Sequence, residues 1–121
     1  MMDEQKKAAL AMIRAVYEDG EAEINGRVYT FCKMKHKQRL KVFAFYTQVS
    51  DNVQRGNFGF LATPEFESVE NVINNVVSID GSLLSKIGDG HWEDYPDDYL
   101  TFISTALPVI SYPFFSASVT G

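Results

Sequence analysis

The chain is poor in the features by which small proteins announce chemistry. Among its 121 residues there is one cysteine, Cys32, so no internal disulfide can form. That usage fits a reducing compartment. No apolar run approaches the ~20 residues that cross a bilayer, and the opening MMDEQKK lacks the apolar stretch of a signal peptide. A cytosolic protein without a membrane partner is expected. No internal repeat or low-complexity tract is present. Catalytic signatures are missing as well. Cys32 and His36 form a lone Cys-x3-His, with His91, Glu93 and Asp94 elsewhere, whereas a structural zinc site takes four ligands. No local feature supports Cys32 as a nucleophile. The carboxylates of IGDGHWEDYPDD are not at calcium-loop spacing, and GDGH lacks the context of a phosphate loop. No catalytic residue, cofactor or metal ligand is therefore assigned, and an enzyme is the least supported class.

What is present is apolar and aromatic. Nine Phe, six Tyr and one Trp, within a hydrophobic content of 45%, supply ample area for one core in one domain. The net charge of −5 is unevenly spread. Residues 1–41 hold nine Lys and Arg against six Asp and Glu, and residues 42–121 hold two against ten. Such polarity favours head-to-tail association between copies, or steers a charged partner.

Residues 3–18 predict a helix capped by Asp3, with Ala9, Met12, Ile13, Val16 and Tyr17 on one stripe and Gly20 as its stop. EAEINGRVYTF predicts a hairpin. Asn25-Gly26 suits the two left-handed positions of a type I′ turn, which pairs Ile24 with Arg27 and Ala22 with Tyr29. Ala22, Ile24, Tyr29 and Phe31 then share one face. From His36 the period becomes helical, with Leu40, Phe43, Ala44 and Thr47 on one stripe and Val42, Phe45, Tyr46 and Val49 on another. A helix apolar on two sides is deeply buried or touches something beyond its own core.

A third helix starts at Thr63-Pro64, its stripe running through Phe66, Val69, Val72, Ile73, Val76 and Val77. DGSLLSKIGDG reads as a glycine-bounded connection with room for one helical turn. The last helix begins near Asp97 with Tyr99, Phe102, Ile103, Ala106 and Ile110 on one face. Pro108 is expected to kink or end it, and Pro113 to close it. The fold class that results is α+β, a mostly helical single domain with one antiparallel β-hairpin in the N-terminal half. Its parts are an N-terminal helix (1–20), the hairpin (21–35), a helical core (36–112) and a flexible tail (113–121).

Two stretches invite a binding function. Lys33, Lys35, Lys37, Arg39 and Lys41 place five cations in nine residues, a composition suited to phosphate contacts. On a helix, though, alternate residues wind by about 200°, so only Lys33, Lys37 and Lys41 stack. A solvated or partner-facing surface is favoured over nucleic-acid binding. In RGNFGF, glycines flank an aromatic; one anchoring Phe explains it, a mobile partner-binding loop being the alternative. Leu40, Phe43, Tyr46, Trp92, Tyr99, Phe102, Phe114 and Phe115 are the candidate partner-binding residues, undivided between core and interface. Self-association through such faces is expected.

The order of INGRVYTF, HKQRLKVFAFYTQV and HWEDYPDDYLTFISTALPVISYPFF resembles the small tail assembly chaperones of long-tailed bacteriophages, over about residues 22–49 and 90–115. The resemblance implies a job without chemistry in the cytoplasm of a bacterial host. Such proteins bind the tape measure protein, keep it soluble and help bring tail tube subunits to it. It also implies a longer form made by ribosomal frameshift, with which the uncharged ending FFSASVTG is compatible. Another small phage structural factor, at the head–tail joint or as a minor tail component, is the alternative. A nucleic-acid-binding regulator is the third.

Overall fold

The computed structural model describes the backbone of residues 2–120 and the side chains of residues 7–114. Helix α1 (Met2–Asp19) leads into strands β1 (Glu21–Ile24) and β2 (Arg27–Phe31), then α2 (His36–Gln54), a 3-10 turn (Gly59–Ala62) and α3 (Pro64–Asn74). Strands β3 (Val77–Ile79) and β4 (Ser82–Leu83) follow, then the short α4 (Leu84–Ile87) and α5 (Gly90–Asp94), and the long α6 (Pro96–Thr120). The sheet is antiparallel, in the order β1-β2-β3-β4. The α+β class, mostly helical with an N-terminal hairpin, is thus observed, and a second hairpin extends its sheet.

The first hairpin has the expected register, Ile24 opposite Arg27 and Ala22 opposite Tyr29. Asn25 and Gly26 both take positive φ, 52° and 82°, as a type I′ turn demands. Asp80 and Gly81 repeat this geometry, with φ of 51° and 82°, between β3 and β4. The connection expected over DGSLLSKIGDG therefore contains a strand, β4, as well as the helical turn of α4. The stripe drawn through Val76 and Val77 is corrected with it. The α3 helix stops at Asn74, Asn75 caps it, and Val77 opens β3. Asn favours local side-chain hydrogen bonds over the helical ladder, so the Asn74-Asn75 pair is a natural stop inside an otherwise apolar run.

The core forms where α3 and α6 meet the sheet and α2 packs against both of these helices. Val42, Phe45 and Val49 of α2 meet Phe66, Val69 and Ile73 of α3, and Phe102, Ile103, Ala106, Leu107 and Ile110 of α6. Tyr29, Val77 and Ile79 rise into it from the sheet. Of the two α2 stripes, the one through Val42 is core and the one through Leu40 faces outward. The aromatics of RGNFGF are both used: Phe60 is buried against Phe45 and Phe66, and Phe58 packs beside it.

Neither proline ends α6, which runs through Pro108 and Pro113 to Thr120 across the segment expected as a tail. A proline inside a helix costs about 3 kcal/mol through its missing N–H and the clash with the preceding turn. Burial offsets that cost here, because every residue from Ala106 to Ser111 is enclosed. In the turn ahead of Pro113, Arg39 of α2 donates to the Ile110 carbonyl at 2.7 Å. No helix among the described residues is long and apolar enough to cross a membrane.

Candidate functional site

The candidate partner-binding residues divide into two groups. Trp92, Tyr99 and Phe102 gather around Tyr29 over the sheet. Trp92 stacks on Tyr29 with ring centres 6.1 Å apart, and lies 5.0 Å from Tyr99 and 5.2 Å from Phe102. Phe102 is wholly buried, so it is core rather than contact surface. Tyr99 donates its hydroxyl to Glu70 of α3. Burial, and then that bond, push the Tyr99 phenol above its ordinary range. This group fastens α5 and α6 to the sheet.

Beside it sits a polar knot that pairwise sequence reading does not find. Asp98, in the first turn of α6, has no solvent exposure. Its Oδ1 accepts from Asn25 Nδ2 at 2.7 Å and Arg27 Nη2 at 2.9 Å; its Oδ2 accepts from Arg27 Nε at 2.6 Å and the Tyr29 hydroxyl at 2.7 Å. The forked Arg–carboxylate pair is the strongest form of such a bond, and the α6 N-terminus favours the negative charge further. Arg27 also lies over the Tyr95 ring at 3.8 Å. The Arg27 bonds hold the Asp98 carboxyl well below the usual carboxylate range and lift the guanidinium above its own.

Because Tyr29 donates to Asp98, its oxygen is left to accept from His91 Nε2 at 2.8 Å, which sets the His91 tautomer. Burial lowers the His91 pKa, leaving the ring neutral. Burial, followed by the bond to Asp98, raises that of Tyr29. Asp98 and Tyr29 are fully enclosed, and the bonds they make join three elements as a clamp. It locks the Asn25-Gly26 turn onto α6.

The second group lies at the other end of α6. Phe114 packs on Phe43 with ring centres 5.0 Å apart and on His36 at 5.8 Å. Tyr46 is half-buried one turn along α2 from Phe43, and Leu40 is 43% exposed. The Phe115 side chain lies outside the described residues. Phe43 and Tyr46, with Leu10 and Ile13 of α1, line an open apolar groove of about 400 Å³ that reaches Ser50 and Gln54. A second groove, of about 540 Å³, runs along the far side of α1 against β1 and α6, past Met12, Val16, Thr105 and Val109. Helix α1 thus lies between two troughs. None of its described side chains is fully buried, and Met12 is 71% exposed. Sequence reading misses Leu10 as a groove residue, because only its i, i+3 spacing to Ile13 signals it.

The basic run is split by the structure. Lys33 and Lys35 lie in the extended link before α2, Lys37 and Lys41 face solvent from α2, and Arg39 turns inward to Ile110. Lys33 does not stack with Lys37 and Lys41, since α2 starts at His36. Among the described residues, no three His, Cys, Asp or Glu side chains gather as a metal site. Compared with protein-family models, curated proteins and solved structures, the chain matches none.

Proposed function

We propose that this chain is a non-enzymatic binding protein that acts as a tail assembly chaperone of a long-tailed bacteriophage, in the cytoplasm of the bacterial host. In this reading it holds an apolar helical segment of the tape measure protein and helps recruit tail tube subunits. The observation that carries the binding role is the groove of Leu10, Ile13, Phe43 and Tyr46. Its floor is apolar and it is open to solvent. It runs between two helices, α1 and α2, and helix-in-groove docking uses such a trough. The phage assignment rests on the resemblance carried by residues 22–49 and 90–115. Of the other readings, nucleic-acid binding is weakened by the splitting of the basic run between the extended link, the solvent face of α2 and the cleft beside Ile110.

The test begins with the neighbouring genes, where this reading expects a tape measure protein, and continues with co-expression of the two chains. The chaperone reading expects that protein to stay soluble and to co-purify, and expects Phe43→Asp to lose the complex while the variant itself stays folded. It also expects the chain to be absent from finished particles. Stoichiometric presence in purified virions assigns it instead to the structural components. A Phe43→Asp variant that co-purifies undiminished removes the groove from the account.

A further inference from the structure

A cleft of about 320 Å³ opens where the end of α1, the end of β2 and the start of α2 meet α6. Its floor is apolar, formed by Phe31, Met34, Val109 and Ile110. Two basic residues, Arg39 and Lys33, are among its lining. Arg39 is half-buried and uses one N–H on the Ile110 carbonyl, with Tyr17 alongside its guanidinium at 5.6 Å. A guanidinium carries five N–H donors in a fixed fork, so four remain without a protein partner among the described residues. Lys33, exposed beside the same cleft, has no hydrogen bond or ion pair among the described residues either. The carboxylate on the rim, Glu18, is paired with Arg14 at 2.8 Å. A half-buried fork with free donors above an apolar floor is therefore complementary in both charge and shape to an oxyanion attached to an apolar group.

We infer that this cleft is a docking site for a peptide segment of a protein partner bearing a carboxylate beside an apolar side chain. The carboxylate takes the Arg39 fork in bidentate fashion, Lys33 adds a second charge, and the neighbouring apolar side chain covers Met34 and Ile110. A planar, singly charged carboxylate suits the site better than a phosphate, whose greater charge would face Glu18. The cleft is separate from the Phe43 and Tyr46 groove, and the inference does not depend on the function proposed above.

The probes are N-acetyl-Phe-Asp-Leu-amide, its Asn counterpart and sodium phosphate, titrated into the full ¹⁵N-labelled chain. The Asp peptide should move the Arg39 Nε–H, Met34 and Ile110 resonances. It should also slow labelling of Cys32, whose thiol lines the cleft, by a thiol reagent. The Asn peptide should bind at least about 5-fold more weakly. Arg39→Gln should abolish the response. Because that change also removes the Ile110 contact, two surface variants keep the test independent of folding. Lys33→Ala should weaken binding about 2- to 3-fold and Glu18→Gln should strengthen it about 2-fold. Equal responses to the Asn peptide or to phosphate would overturn the inference. So would no response at about 10 mM peptide, or affinities unmoved by both surface variants.

Discussion

The hairpin and α1 are both N-terminal, and both rest against α6, yet they are held in opposite ways. The hairpin is fixed by a carboxylate that accepts four hydrogen bonds at zero exposure, three of the four donor groups coming from the turn and its first strand residue. Helix α1 is laid on with half-buried apolar side chains, troughs on both sides and one glycine, Gly20, joining it to the sheet. Directional, desolvated bonds make an attachment that fails all at once. Partial apolar burial makes one that loosens by degrees and can be exchanged for another apolar surface. The binding role proposed above would gain from both: a rigid platform, and an edge that yields.

The contrast is tested most severely at Asp98. Asp98→Asn keeps the shape but removes the charge, leaving Arg27 without its counter-ion and at least one former donor without an acceptor. The expected loss is about 3 kcal/mol, toward the lower end for a broken buried pair because Arg27 keeps a solvent-facing edge. Urea unfolding measures it. A loss under about 1 kcal/mol would mean that the knot holds no better than a surface pair.

Acid should undo the same knot in two stages. His91 has its pKa lowered in the folded state, so unfolding takes up a proton. Its contribution is complete above the ordinary value of 6.5 and declines as pH falls below it. Asp98 is also depressed, so its larger contribution is complete above the ordinary 3.8 and is lost only as pH falls beneath that. Unfolding midpoints taken from pH 8 down to pH 3 should show a shallow decline before a steep one. His91→Gln should remove the first and keep the second. A midpoint that rises on acidification contradicts both assignments.

A smaller effect is expected from the turn that the knot grips. Gly26 sits at φ 82°, and a Cβ there would meet open space, so Gly26→Ala tests backbone conformation alone. It should cost about 1–2 kcal/mol. Gly81→Ala has the same local geometry without the clamp. If the two losses are equal, the clamp is indifferent to the conformation of its turn; a larger loss at Gly26 shows that knot and turn are coupled.

The two hairpins also differ in how openly the sequence declares them. Asn25-Gly26 between two strand-like runs is legible because turn chemistry is local, and the expected register is the one observed. Asp80-Gly81 carries the same signal, but VINNVV ahead of it continues the helical period of α3 and hides β3. Pro108 reads as a kink or an end and Pro113 as a close because propensity is local too, whereas the burial that keeps α6 intact comes from the elements packed on it. The Asp98 knot is illegible for a different reason. Asn25 and Arg27 lie more than 70 residues from Asp98, and no spacing rule spans that distance. For the candidate site, the two-sided pattern of α2 points to Phe43 and Tyr46. Their separation from Trp92, Tyr99 and Phe102 depends on the path of α6.

The smallest effects belong to α1, and they decide whether its looseness is real. Ile13 lines both troughs and is only half-buried, so Ile13→Ala should cost about 1 kcal/mol, well under the roughly 2–5 kcal/mol of an enclosed isoleucine. Met12→Gln, at a position 71% exposed, should stay within about 0.5 kcal/mol. Amide exchange supplies the independent measure. The α1 amides should exchange through local opening, with protection at least about 10-fold below that of Phe102 to Ile110 in α6. Ile13→Ala should lower protection in α1 and leave the β1 and β2 amides unchanged, because the hairpin is secured from the α6 side. If α1 instead exchanges only with global unfolding, or if Ile13→Ala costs as much as an enclosed residue, the helix is part of the rigid body. The groove beside it would then be a fixed surface, and a partner would have to fit it as it stands.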